Sequence, residues 1–302
     1  MKIIVIGAGA MGSIYGGHLS LCNDVTLVDT NAALVEKINH DGLVLEENGV
    51  SNVYKPKAQV KADSSDKADL IILFTKSLYS KSALDGVRPA IGPDTYLMTL
   101  QNGAGHERLL SQYVDREHII IGTTEDNGAV LSLACVHHGG RGVTNIGLLS
   151  GEDGKILHDI KECFDESGFD VKIHSNIQRL IWDKLMTNAS LSVLTAILQC
   201  DMSYIAANEN ARGLCLKLID ETVSVANAMN LGFDVDEVIK KVLSTSESNK
   251  GGYTSIMMDI KNSRCTEVDT ISGAVVTKAH ELGISVPCME MAVELVHALE
   301  GR

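Results

Sequence analysis

The sequence predicts an α/β fold: a doubly wound parallel sheet at the N-terminus, followed by an all-helical C-terminal domain. Three observations predict it. The glycine run GAGAMG (7–12) directly follows a short β-branched stretch, KIIVIG (2–7). Strand-like and helix-like segments alternate through the first half of the chain. From about residue 176 strand signals vanish and helical periodicity takes over. The 302 residues suit two domains, and an apolar content of 45% can bury a sizeable core.

Taken in order, KIIVIG reads as a buried parallel strand, and the glycine turn opens a helix. DVTLVD (24–29) is a second strand, and NAALVEKINHDG (31–42) a helix stopped by glycine. ADLIILFTK (68–76), DTYLMTLQN (94–102) and EHIIIGT (117–123) continue the strand series. In residues 129–149 two apolar runs flank HHGGRG, the pattern of an antiparallel hairpin appended to the sheet. His137 and His138 within it are acid–base candidates by residue type. FDVKIHS (169–175) is one last strand. Helical stretches follow at 177–198, 207–231, 235–244, 253–283 and 286–300. The expected division is therefore 1–175 and 176–302.

GAGAMG is G-x-G-x-x-G in the strand–turn–helix context that gives the motif meaning, so the first domain is read as a Rossmann dinucleotide-binding domain. Gly7 allows the tight turn, Gly9 lets the backbone approach a pyrophosphate, and Gly12 lets helix and strand pack closely. Ala8, Ala10 and Met11 complete the loop at the helix N-terminus, whose free N–H groups and positive dipole end suit phosphates. Asp29 closes the second strand. A carboxylate there accepts hydrogen bonds from a ribose 2′-OH and repels a 2′-phosphate. Thr30 and Asn31 follow it, with no Arg or Lys, which favours NAD(H) over NADP(H). Lys76 and Asn102 each stand just past a buried strand, where open parallel sheets bind their ligands. A solvated loop lysine and simple Asn-Gly turn chemistry are the alternatives.

The apolar run RLIWDKLMTNASLSVLTAIL holds a lysine, Lys184, one helical turn before an asparagine, Asn188. Reducing a ketone by hydride leaves an alkoxide that must be stabilised and protonated. A lysine in a partly desolvated cleft suits this, because burial lowers its pKa towards the working pH. Asn188, on the same helix face, would hold the substrate or orient the lysine. The alternative is a snorkelling lysine beside a satisfied asparagine.

Composition excludes several classes. Lys plus Arg number 26 against 39 Asp plus Glu, a net charge of −13, which lacks the footprint of a nucleic-acid binder. No targeting segment is visible and no run reaches the length of a membrane span. Seven cysteines stand singly with no C-x-x-C spacing, so neither a disulfide framework nor a zinc site is expected, and the setting is a reducing cytoplasm. The helical domain offers a further face for a homodimer, which periodicity alone does not decide.

The glycine turn, TK (75–76), QNG (101–103), WDKLMTN (182–188), TSIMMDIKNSRCTEVDTISGAVV (254–276) and GISVP (283–287) together resemble the ketopantoate reductase (2-dehydropantoate 2-reductase) family. The resemblance runs in order along nearly the whole chain, and Ser255, Asp259, Arg264, Thr266, Glu267, Asp269 and Gly273 fall in the family's pattern. It implies NAD(P)H-dependent reduction of ketopantoate, a small 2-ketoacid, to D-pantoate on the route to pantothenate and coenzyme A. It implies Lys184 as the catalytic lysine and Glu267 as the active-site glutamate. Asn102 would lie near nicotinamide and substrate, Asn188 and Ser255 would contact substrate, and Lys76 and Gly128 match cofactor-side positions. Two departures stand out. Many members carry a second asparagine, often followed by proline, where this chain has Ser192 and Val193 in the substrate region. The basic residue of NADP-using members is absent near Asp29. Relatives that act as NAD-dependent D-2-hydroxyacid (mandelate-type) dehydrogenases carry an aspartate there, and such an activity is the alternative. A non-catalytic dinucleotide-binding protein is a third reading.

Overall fold

A computed structural model describes residues 1–62, 67–150 and 154–300, which form two compact units. The first comprises 1–101 and 106–177. Its elements are β1 (Lys2–Ile6), α1 (Ala10–Leu19), β2 (Asp24–Val28), α2 (Ala32–Asp41), β3 (Leu43–Glu47), β4 (Val50–Tyr54), β5 (Lys57–Gln59), β6 (Leu70–Leu73), α3 (Ser80–Val87), β7 (Tyr96–Thr99), α4 (Glu107–Leu110), β8 (Ile119–Thr124), β9 (Asn127–Ser132), β10 (Cys135–Gly140), β11 (Val143–Leu148), α5 (Lys155–Glu166) and β12 (Asp170–Ile173). The main sheet runs β12-β11-β8-β7-β6-β1-β2-β5. Every pair in it is parallel except β8 with β11. Ile3–Ile6 and Leu70–Leu73 are buried throughout, as central strands covered on both faces must be. Strand order reverses at β1, so the C-terminal ends of β1 and β6 border the crevice where such sheets bind ligands.

The expected appended hairpin is corrected in two respects. It consists of β9 and β10, and its turn is Leu133–Ala134, with Ala134 at φ +58°, rather than HHGGRG. It also joins a separate four-stranded sheet, β4-β3-β10-β9, in which β10 lies parallel to β3. His138 points into this unit, so HHGG is held as strand rather than left as turn. The second apolar run, β11, returns to the main sheet. The β3–β4 hairpin was not anticipated, because β4 is mostly exposed and lacks an apolar face. Its turn is Asn48-Gly49, both in the left-handed region, a two-residue hairpin signal that the sequence does contain.

The second unit comprises Asn102–Gly105 and Gln178–Arg302. It is built from α6 (Ile177–Leu198), α7 (Met202–Ala207), α8 (Glu209–Ala228), α9 (Val235–Ser248), α10 (Ser255–Lys261), α11 (Ser272–Leu282) and α12 (Pro287–Glu300). The stretch 253–283 is not one helix. α10 stops at Lys261, Ser263 takes φ +52°, and an irregular segment leads to α11. Buried Val268 and Ile271 lie at helix-like spacing from Val275, which preserved the periodic signal across the break. None of these helices is long and apolar enough to cross a membrane.

Candidate active site

The glycine turn is shaped by close contacts in the first unit. Gly7 adopts φ +91°, and an added Cβ would lie 3.0 Å from the Thr75 amide nitrogen. At Gly12 a Cβ would lie 1.7 Å from the Gly7 carbonyl oxygen, so no side chain is tolerated. Gly9 differs, because a Cβ there would meet nothing within 4 Å. Nothing in the chain's own packing requires this glycine, whereas a phosphate approaching the backbone does. Gly9 is also the N-cap of α1 and offers no capping side chain, leaving first-turn amides to a ligand.

The turn borders a cavity of about 470 Å³ lined by Gly7, Gly9, Asp29, Thr30, Thr75 and Lys76 among others. Asp29 is held from two sides. Its carboxylate accepts from the Ala8 N–H at 2.8 Å and from the Asn31 N–H at 2.9 Å. This pins it beside the glycine turn with lone pairs left for ribose hydroxyls. Thr75 Oγ1 is buried and has no hydrogen-bond partner. These residues fit a dinucleotide. Ala10 and Met11 are the first residues of α1, as the motif requires. Gly128 stands on β9, where a Cβ would meet Ile14 Cδ1 at 2.5 Å, so packing of β9 over α1 accounts for this glycine. Gly9→Ala is expected to raise the dinucleotide Kd by about tenfold, or 1.4 kcal/mol, with an unchanged thermal midpoint. Calorimetric titration beside thermal melting checks this, and a lowered midpoint would show a structural role instead.

In the second unit, α6 organises the remaining candidates. Lys184 and Asn188 are half-buried, one turn apart, and flanked by buried Leu185 and Ala189. The neighbouring Asp183 is paired with Lys241 of α9 at 2.5 Å. Ser192 is buried a further turn along. Ser255 opens α10 but does not cap it. Thr254 is the N-cap, and its hydroxyl lies 2.8 Å from Thr195 Oγ1, which ties the start of α10 to α6. Glu267 lies in the irregular segment between α10 and α11, not in a helix as the helical reading of 253–283 would place it. Its carbonyl accepts from the Thr270 and Ile271 amides, forming the turn into α11. Ser272 then donates to the Ala189 carbonyl at 2.9 Å, anchoring this segment to α6 beside Asn188. Asn102 belongs to the same unit: the Ala104 N–H donates to the Thr270 carbonyl at 2.8 Å. Gly103, at φ +98°, is required there, since a Cβ would sit 2.0 Å from the Thr270 oxygen. The segments bearing Asn102, Ser255 and Glu267 are thus fastened directly or in series to the helix bearing Lys184 and Asn188.

A buried polar cluster in the first unit has no signal in the sequence, and His138, an acid–base candidate by residue type, is part of it. Glu47 Oε1 lies 2.7 Å from His138 Nδ1 and 2.9 Å from His18 Nε2, with Arg141 Nη2 at 3.3 Å. His138 Nε2 lies 3.1 Å from Asp126 Oδ1. The Asp126 and Glu47 carboxylates accept from His138, and these bonds outweigh burial and raise its pKa; with an acceptor facing each ring nitrogen, both donate. Burial lowers that of His18. Burial alone would raise the Glu47 carboxyl, but the hydrogen bonds of His138 and His18 outweigh it and bring it down to about 2. The ligand atoms of His18, Glu47 and His138 lie within 4.8 Å of one another, a spacing open to a metal ion. The Arg141 guanidinium and the His138 imidazolium already balance both carboxylates, so protons satisfy the cluster.

Two family models match the chain. Residues 3–151 match "Ketopantoate reductase PanE/ApbA" and residues 176–300 match its C-terminal counterpart. A 2-dehydropantoate 2-reductase from Streptococcus pyogenes is 31% identical over 302 residues, covering 99% of this chain and 98% of that protein. One from Pyrococcus horikoshii is 32% identical with the same coverage. Among solved structures, D-mandelate dehydrogenase with NADH and anilino(oxo)acetate superposes with a TM-score of 0.90 at 32% identity, covering 100% of this chain and 98% of that one. A PanE/ApbA family ketopantoate reductase from Ralstonia eutropha gives 0.88 at 25% identity, covering 100% and 99%. The glycine turn, the two-unit architecture and these full-length matches place the chain in the ketopantoate reductase PanE/ApbA family, NAD(P)-dependent oxidoreductases that reduce 2-ketoacids.

Proposed function

We propose that the chain reduces ketopantoate to D-pantoate with NADH, serving pantothenate and coenzyme A synthesis in the cytoplasm. The observation that carries this reading is the half-buried Lys184–Asn188 pair on α6, with the segments of Asn102, Ser255 and Glu267 fastened to the same helix. The reduced dinucleotide supplies the hydride. Gly7–Gly12 and Asp29 hold it through phosphate and ribose, with Lys76 and Gly128 beside them. Lys184 donates the proton that quenches the developing alkoxide at the C2 oxygen. Glu267 sets the polarity around that lysine, while Asn102, Asn188 and Ser255 bind the substrate's oxygens and orient the carbonyl. NADH rather than NADPH is supported by Asp29, whose pinned carboxylate would repel a 2′-phosphate. Seven free thiols support a reducing, cytoplasmic setting.

A second reading, a D-2-hydroxyacid dehydrogenase of mandelate type, is favoured by Ser192. It is shorter than the amide many relatives carry there and, with a single hydroxyl, cannot copy that amide's contacts to ketopantoate. Oxidation of NADH and NADPH, followed side by side with ketopantoate, branched and aromatic 2-ketoacids, tests both. Turnover at least tenfold faster with ketopantoate and NADH is expected. Faster turnover of aromatic acids would transfer the assignment to the second reading, and silence with every acid would refute both.

A further inference from the structure

We propose that Gln101 is a positioning residue for coenzyme binding, acting through the Thr75 carbonyl. This rests on the assignment of the crevice after β1 and β6 to a dinucleotide.

The Gln101 side chain is held at both ends. Nε2 donates to the Thr75 carbonyl at 2.6 Å and to Ser80 Oγ at 2.8 Å. Oε1 accepts from Thr99 Oγ1 at 2.8 Å. Thr99 Oγ1 itself accepts from the Gln101 backbone N–H at 3.2 Å, so its single proton is directed to Oε1. The Thr75 carbonyl can only accept. These two neighbours therefore dictate which end of the amide faces which: oxygen to Thr99, nitrogen to Thr75. A carboxylate has no proton for Thr75, methionine makes neither bond, and asparagine is one methylene shorter.

What the amide holds is the edge of the crevice. β6 ends at Leu73, and Thr75–Lys76 follow without regular strand pairing. The Thr75 amide nitrogen fixes how closely the glycine turn can be approached, at 3.0 Å from a notional Gly7 Cβ. Thr75 and Lys76 both line the crevice. Ser80 begins α3, whose Ser82, Ala83 and Gly86 line it further along. One amide thus sets the Thr75–Lys76 backbone and the start of α3 against the end of β7.

The test compares Gln101→Glu and Gln101→Met with the wild type, using calorimetric NAD⁺ titration at pH 8.0 and 5.5. At pH 8.0 both variants are expected to bind about tenfold more weakly. The carboxyl of Gln101→Glu faces a carbonyl oxygen, which raises its pKa. At pH 5.5 it takes up a proton that it donates to Thr75, so its affinity returns to within about threefold of wild type. The Gln101→Met deficit does not change with pH. In turnover, KM for the coenzyme rises while kcat at saturation stays within about threefold. Should these variants melt too readily, Thr99→Val, which removes the orienting proton, is expected to weaken binding in the same sense by a smaller factor. Wild-type affinity in all the variants would overturn the role, as would a Gln101→Glu loss that is equal at both pH values and matched by a lowered thermal midpoint. A wild-type protein that binds no dinucleotide refutes the crevice assignment instead, which keeps the two failures distinguishable.

Discussion

Alanine in place of Lys184 is expected to lower kcat by about a hundredfold or more, with dinucleotide affinity retained. The size follows from what a positioned general acid contributes. Folding should be spared, because the packing of α6 at this point rests on buried Trp182, Leu185, Met186 and Ala189 rather than on the half-buried lysine. The coenzyme candidates Gly7–Gly12, Asp29 and Lys76 all belong to the other unit, so removing the amine leaves them intact. Lys184→Arg separates the two contributions an ammonium can make. Guanidinium keeps the charge but does not release a proton near neutrality. A loss in the arginine variant as deep as in the alanine variant identifies proton donation. Substantial retained activity in the arginine variant would assign the lysine to electrostatic stabilisation alone. Steady-state and single-turnover kinetics under saturating coenzyme read the effect, and an unchanged kcat removes Lys184 from the mechanism.

The parts of the fold that were legible in the sequence are those where one physical requirement dominates. The glycine turn was readable because only glycine satisfies the Gly7–Gly12 contact. The central strands were readable because burial on both faces makes them continuously apolar. β4 was not, since an exposed strand next to a covered one needs no apolar face, and only the Asn48-Gly49 turn betrays it. Glu267 was readable as a residue through resemblance, but its setting was not. Apolar residues that anchor an irregular segment to a helix core reproduce helical spacing without helical backbone. Gln101 escaped because, beyond nearby Thr99, its partners are the Thr75 carbonyl and the Ser80 hydroxyl, 26 and 21 residues away, a relation that no local pattern records. The cluster around Glu47 escaped for the same reason, since it joins α1, β3, β10 and the link between β8 and β9.

That cluster yields the largest expected stability effect. His138→Ala removes the donor shared by Glu47 and Asp126, two carboxylates that are 9% and 8% exposed. Breaking a buried ionic group by deleting one partner costs about 3–5 kcal/mol, because the remaining charge stays buried without compensation. In a chain of this size the thermal midpoint should fall by about 5–8 °C. The pH dependence separates this from simple loss of packing. His138 has a raised pKa in the folded state, so its contribution is complete below its ordinary value of 6.5 and is lost as pH rises through the raised one. His18 has a lowered pKa, so its contribution is present above 6.5 and lost as pH falls through the lowered value. Glu47, brought down to about 2 from 4.5, loses its contribution as pH falls from 4.5 through about 2. Burial raises the phenols of Tyr54, which faces Glu47, and of Tyr15, which faces Asp126, so both stay protonated throughout this window. The contribution of this cluster should therefore be greatest near pH 6.5 and decline on both sides. In His138→Ala the decline above 6.5 should flatten while the acid limb remains. Thermal midpoints from pH 4 to 9 measure this, and a variant that keeps both the wild-type midpoint and the wild-type alkaline decline would show that the imidazolium does not hold the cluster. Tyr15 and His18 lie on α1, the helix that opens at the glycine turn, so the same variant should also loosen coenzyme binding.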